Sequence, residues 1–147
     1  MKTTRLSTLV KNMFLGAIAI IFVFSLNSCA TKVNFLTSAV VPAARGQVRV
    51  KMDHNKNYNI QVNLLNLAEV NRLQTSKQTY VVWMVTDQEI TKNIGQLKSS
   101  TSLLSKNLKA SLETVSSFKP IKIFITAEDN ANTQYPGAQV VLSTDRF

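Results

Sequence analysis

The chain has 147 residues and a formal charge of +9, from 17 Lys and Arg against eight Asp and Glu. One cysteine and one histidine exclude a disulfide framework and any zinc site of recognisable ligand spacing. Only four glycines are present, with neither a phosphate-cradling loop nor a G-x-S-x-G elbow, so nucleotide-binding and serine-hydrolase classes have no motif to stand on.

The first segment is a leader. Lys2, Arg5 and Lys11 precede the apolar run from Met13 to Leu26. A charged start, a short apolar stretch and small residues at its end are the marks of a secretory signal peptide. The tetrad Leu26-Asn27-Ser28-Cys29 then resembles the lipobox of bacterial lipoproteins, leucine–x–small–cysteine. That resemblance implies cleavage before Cys29, which would carry a thioether-linked diacylglyceryl group and an N-acyl chain. Several acyl chains are what stable anchoring requires. Two alternatives remain. An uncleaved anchor needs roughly 20 apolar residues and reaches that length only by burying Asn27 and Ser28. Ordinary cleavage would leave a lone secreted thiol without a disulfide partner.

Removing residues 1–28 leaves 119 residues with 14 basic and eight acidic side chains, enough for one domain. The basic residues are spread along the chain with no consecutive run, which argues against nucleic acid as a partner. Anionic lipid headgroups are a more physical partner for such a charge, and simple solubility is a sufficient reason for it.

Residues 29–45 read as a lipidated tether, broken at Pro42, and the domain is expected over 46–147. Val48, Val50 and Met52 alternate with Gln47, Arg49, Lys51 and Asp53, the period-two pattern of a half-buried strand. A turn at Asp53–Asn57 and a second alternating run from Tyr58 to Leu64 complete a hairpin. Leu65–Ser76 fits a short helical turn or an irregular crossover. The run Thr79–Thr86 is β-branched and aromatic at almost every position, as in a central strand covered on both sides or covered on one side by a loop. A turn at 87–89 leads to a short strand at Ile94–Leu97, and 99–102 reads as a loop. Residues 103–116 fit helical and strand periods alike, and the Ser/Thr content favours the strand. Strong alternation returns at Ile121–Thr126, and a polar loop from Glu128 to Gly137 leads to a last strand at 138–143. About seven turn-punctuated strands predict a single all-β, antiparallel, immunoglobulin-like sandwich.

Three of these segments, Tyr80-Val-Val-Trp83, Asn93-Ile-Gly-Gln-Leu97 and Phe124-Ile-Thr-Ala-Glu128, occur in order with Tyr135-Pro-Gly137 and Val140-Val-Leu142. Together they resemble the extracytoplasmic domain of anti-sigma-K-type membrane proteins, over roughly residues 79–143. The resemblance implies a sensory or structural β-sandwich. It does not extend to sigma-factor control, because residues 1–28 leave no room for a cytoplasmic helical domain followed by a membrane span.

Catalytic groups are sparse. His54 falls in a turn, where a solvated imidazole is the default. Glu128, Asp129, Asn130 and Asn132 are oxygen-rich but lack the acidic spacing and glycine of an EF-hand loop; Glu128 reads better as a buried acid fixing the following loop. Trp83 is expected in the core, with Val81 and Val85, facing the opposing sheet. Tyr80, on the other face of that strand, could join Tyr58 or Tyr135 in a partner surface. The sequence therefore points to a non-enzymatic envelope lipoprotein, without cofactor or metal, that binds a protein or envelope component. A stress-sensing domain acting with a separate membrane partner is the alternative. Ala30-Thr31-Lys32 holds no Asp to suggest inner-membrane retention, which points to the periplasmic face of the outer membrane.

Overall fold

A computed structural model of the chain describes residues 30–75, 77–100 and 108–147, with Val10 alone upstream. Among the described residues nine strands form: β1 (Thr31–Asn34), β2 (Arg45–Met52), β3 (Tyr58–Leu65), β4 (Thr79–Thr86), β5 (Thr91–Gln96), β6 (Lys98–Ser100), β7 (Lys109–Ser116), β8 (Pro120–Glu128) and β9 (Val140–Ser143). They pair antiparallel in two sheets, β1-β2-β3-β7-β6 and β5-β4-β8-β9. Setting β1 aside, the order β2-β3-β7-β6 against β5-β4-β8-β9 is the immunoglobulin-type connectivity, with one added edge strand on the second sheet.

The strand alternations read from sequence set the core. Val48, Val50, Ile60, Val62, Leu64 and Ala110 point inward from the five-stranded sheet, and Tyr80, Val82, Met84, Ile123, Ile125 and Ala127 answer from the four-stranded one. The crossover after β3 is irregular, with a single 3-10 turn at Val70–Arg72. The ambiguous stretch resolves as strand from Lys109 onward, while residues 101–107 lie outside those described.

The surplus over seven strands comes from two places. Lys98–Ser100 pairs with β7 where a loop was expected. More consequentially, residues 31–45 are part of the sandwich and not a tether. β1 pairs with β2 from Thr31 to Asn34; the chain then crosses to the other sheet, where Phe35 bridges Thr144 and the Leu36 N–H donates to the Ser143 carbonyl at 2.9 Å. Ser38 donates to the Val141 carbonyl and accepts from the Val41 N–H at 2.8 Å, and Val41 and Ala44 are buried. An exposed sheet edge leaves a row of backbone groups to satisfy, and this apolar segment supplies the partner for two edges at once. The domain begins at β1. Cys29, the proposed lipid site, lies outside the described residues.

Trp83 also departs from expectation. It is fully buried, but on the outer side of the four-stranded sheet. β4 is covered on both faces: by the opposing sheet through Tyr80, Val82 and Met84, and on the outside by the loop after β8. In a strand whose interior, Tyr80 to Val85, is apolar or aromatic throughout, hydrophobicity alone does not assign the faces.

Candidate functional site

The sandwich has two poles. One carries the β2–β3 turn at 53–57, the β4–β5 turn at 87–90 and the β7–β8 turn at 117–119. The other carries the crossover 66–78 and the ends of β5, β7 and β8. At this second pole a cleft of about 700 Å³ opens between the crossover and the sheet ends. Leu67, Ala68, Val70, Tyr80, Leu97 and Leu108 give it an apolar floor, and Glu69, Asn71, Lys77 and Lys109 form its rim.

Tyr80 positions the crossover. Its hydroxyl donates to the Ala68 carbonyl at 2.9 Å, stitching an irregular segment to the central strand. Burial disfavours the phenolate and pushes the Tyr80 pKa up from 10.0 to about 12. Protonated at neutral pH as any tyrosine is, it stays a hydrogen-bond donor further into the alkaline range. Two of the rim charges are paired: Glu69 with Arg72 at 3.1 Å, and Lys77 with Asp129 at 2.7 Å.

The outer side of the four-stranded sheet holds a second polar assembly. The Trp83 indole N–H donates to Thr126 Oγ1 at 2.7 Å, and the Thr126 hydroxyl donates to Glu128 Oε1 at 2.5 Å. The same carboxylate oxygen accepts the Gly137 N–H at 2.7 Å. Asn93, opposite Trp83 on β5, donates to the carbonyls of Ala131 and Thr133 at 2.9 and 3.0 Å. The two sets of bonds pin the 129–138 loop over Trp83, whose ring stacks on Phe124 with centroids 6.3 Å apart. Glu128 thus fixes the loop before Pro136, as its sequence context suggested, and its partners are a hydroxyl and a backbone amide. Gly137 makes this possible: a Cβ there would stand 2.8 Å from Glu128 Oε2.

The three tyrosines expected to share a partner surface do not converge. Tyr80 faces the interior and lines the cleft. Tyr58 begins β3 at the opposite pole, paired with Met52 and Ser116 and packed against the core margin. Tyr135 is 80 % exposed on the loop outside the four-stranded sheet. His54 is exposed in the β2–β3 turn, where Asp53 Oδ1 accepts the Asn55 and Asn57 N–H groups. Asn130, from the oxygen-rich stretch, accepts the Asn132 N–H as a turn does, and Asp129 holds Lys77. The cleft residues Leu67, Ala68 and Val70 were missed as a site. Their one signal is apolar side chains recurring in a segment with no regular period.

The fold and its cleft define an immunoglobulin-like β-sandwich with a recess of mixed apolar and polar lining at a pole. Compared with protein-family models, curated proteins and solved structures, the chain matches none. No relative's role is therefore carried onto its residues.

Proposed function

We propose that this chain is a lipid-anchored protein of the cell envelope, held in the membrane through Cys29, that binds a protein or envelope component in the cleft beside Tyr80. The observation that carries the binding role is the cleft itself. Its volume of about 700 Å³ falls within the range of roughly 300–1,000 Å³ typical of ligand sites. Two other recesses among the described residues share that range but are more open, and this one sets apolar side chains beside polar groups in about equal measure.

Binding without turnover is the reading its chemistry favours. The lining contains no histidine or cysteine, its one phenol is held protonated, and Glu69 and Lys77 are engaged in ion pairs. None is arranged as a nucleophile with an adjacent base. The anchor rests on Leu26–Cys29, and the residues after it, lacking an early Asp, favour the periplasmic face of the outer membrane.

Site-specific photocrosslinking in cells tests the cleft. A photoreactive residue at Asn71, on the rim, should give a discrete adduct that Ala68→Trp, filling the floor, abolishes. The same residue at Asn55, on the far pole, should give none. Equal adducts from both positions, or an Asn71 adduct indifferent to the filled floor, would refute the proposal.

A further inference from the structure

The outward face of the five-stranded sheet gathers cations that the sequence scatters. Val48, Val50 and Ala110 point inward, so strand alternation turns Arg45, Arg49, Lys51 and Lys109 outward. Lys32 on β1 stands opposite Arg49, and Lys98 on β6 stands opposite Ser111, so both share that face. One carboxylate accompanies these six cations: Glu113, which accepts a hydrogen bond from Gln61 Nε2 at 3.1 Å. The described part of residues 30–147 carries 13 basic and eight acidic side chains, a net +5. This face alone is net +5. Elsewhere, seven basic residues stand against seven acidic ones.

We propose that this face lies on the anionic, phosphate-bearing surface of the bilayer that seats the acyl chains of Cys29. The proposal rests on the lipid-anchor reading above. β1 is the edge strand of this sheet, and Cys29 precedes Thr31 by two residues, a reach of at most about 7 Å. An anchor on so short a lead keeps the start of β1 within about one Debye length, roughly 8–10 Å, of the headgroups, and laying the outward face on the surface brings the cations of the other strands into the same layer. Within that layer each Lys or Arg favours an anionic surface by about fivefold in partitioning. Between the cations the face carries Gln47, Asn59, Asn63 and Ser111, with two exposed apolar side chains, Leu65 and Val115, toward its two ends. Nucleic acid is the less fitting polyanion, because no aromatic side chain among the described residues of this face offers a base a stacking platform.

The test uses the acylated protein reconstituted into vesicles of phosphatidylcholine, with or without phosphatidylglycerol. A fluorophore on Ser111→Cys reports the basic face, and one on Asn132→Cys reports the loop outside the other sheet. Spin-labelled headgroups should quench the first and spare the second, and only when phosphatidylglycerol is present. Raised salt should reverse the quenching. Replacing Lys32, Arg49 and Lys51 by Gln should lower the ratio of docked to undocked protein about a hundredfold while the protein stays on the vesicles. Equal quenching at the two positions, or quenching indifferent to salt and to phosphatidylglycerol, would overturn the docked face and leave the anchor standing. A purified protein without acyl mass, failing to float with vesicles, would overturn both. Stronger binding of the solubilised protein to duplex DNA than to phosphatidylglycerol micelles would reassign the face to nucleic acid.

Discussion

Trp83 and Thr126, 43 positions apart in the chain, meet on the outer side of the four-stranded sheet, where the indole N–H donates to the threonine hydroxyl at 2.7 Å. A buried indole needs such a partner, and this one in turn donates its own hydrogen bond to Glu128, whose carboxylate accepts the backbone N–H of Gly137. The outer side of the sheet is thereby closed over Trp83 by a polar loop held in place through hydrogen bonds.

Removing the indole should be costly. Trp83→Ala leaves a large void under the 129–138 loop and should destabilise the domain by roughly 3–5 kcal/mol. Trp83→Phe keeps most of the packing and deletes one bond, for a loss nearer 1–2 kcal/mol. Denaturant unfolding measures both. In the native protein an aqueous quencher should leave Trp83 emission almost unchanged, because the side chain is 0 % exposed.

Gly137 and Glu128 should behave as one unit. Gly137→Ala drives a methyl group against the carboxylate and should cost about 1–3 kcal/mol. In a Glu128→Ala background the same change should cost much less, since the obstructing group is gone. A double-mutant cycle read by urea unfolding gives the coupling directly; simple additivity would contradict the geometry.

Much of this fold was legible in the chain because strands buried on one face announce themselves. Tyr58–Leu65 alternates in sequence as it does in space, and Ile121–Thr126 alternates in sequence although the end of its strand, Ile125–Glu128, is buried on both faces. Three features were not legible, each for a physical reason. Trp83 sits in a strand buried on both sides, where hydrophobicity does not distinguish inside from outside. Val33, Phe35 and Val41 are too few and too irregularly spaced to announce a strand that changes sheets, so 29–45 read as a tether. The basic face is invisible along the chain because its members are brought together by register, Lys32 to Arg49 and Lys98 to Ser111. The cleft was hidden for a similar reason: its floor comes from an aperiodic crossover that Tyr80 folds into place.

The segment before Gly46 should therefore carry stability. A fragment starting at Gly46 loses β1, the buried Val41 and Ala44, and the hydrogen bonds of Ser38. Burial of a single valine contributes about 1.5–3 kcal/mol, so the fragment should be at least about 3 kcal/mol less stable than one starting at Ala30. Equal denaturant midpoints and slopes would show the segment to be dispensable.

Tyr80 predicts a pH dependence at the alkaline end. The folded pKa of about 12 exceeds the ordinary 10.0, so above pH 10 the unfolded chain releases a proton that the native phenol keeps. The native state then binds more protons, and stability falls as pH rises. Tyr80's contribution should be complete below about pH 10 and lost progressively toward 12. Urea unfolding across that window should show a decline that Tyr80→Phe flattens. That variant should itself cost about 1 kcal/mol at neutral pH, through the missing bond to Ala68.

The most direct test concerns Cys29. Metabolic labelling of cells with a fatty-acid analogue, followed by isolation of the protein, should mark the wild type and leave Cys29→Ser unmarked. The labelled protein should also begin at residue 29 and fractionate with membranes. Equal labelling of the serine variant, or an unlabelled wild type, would contradict the lipid anchor on which the proposed function depends.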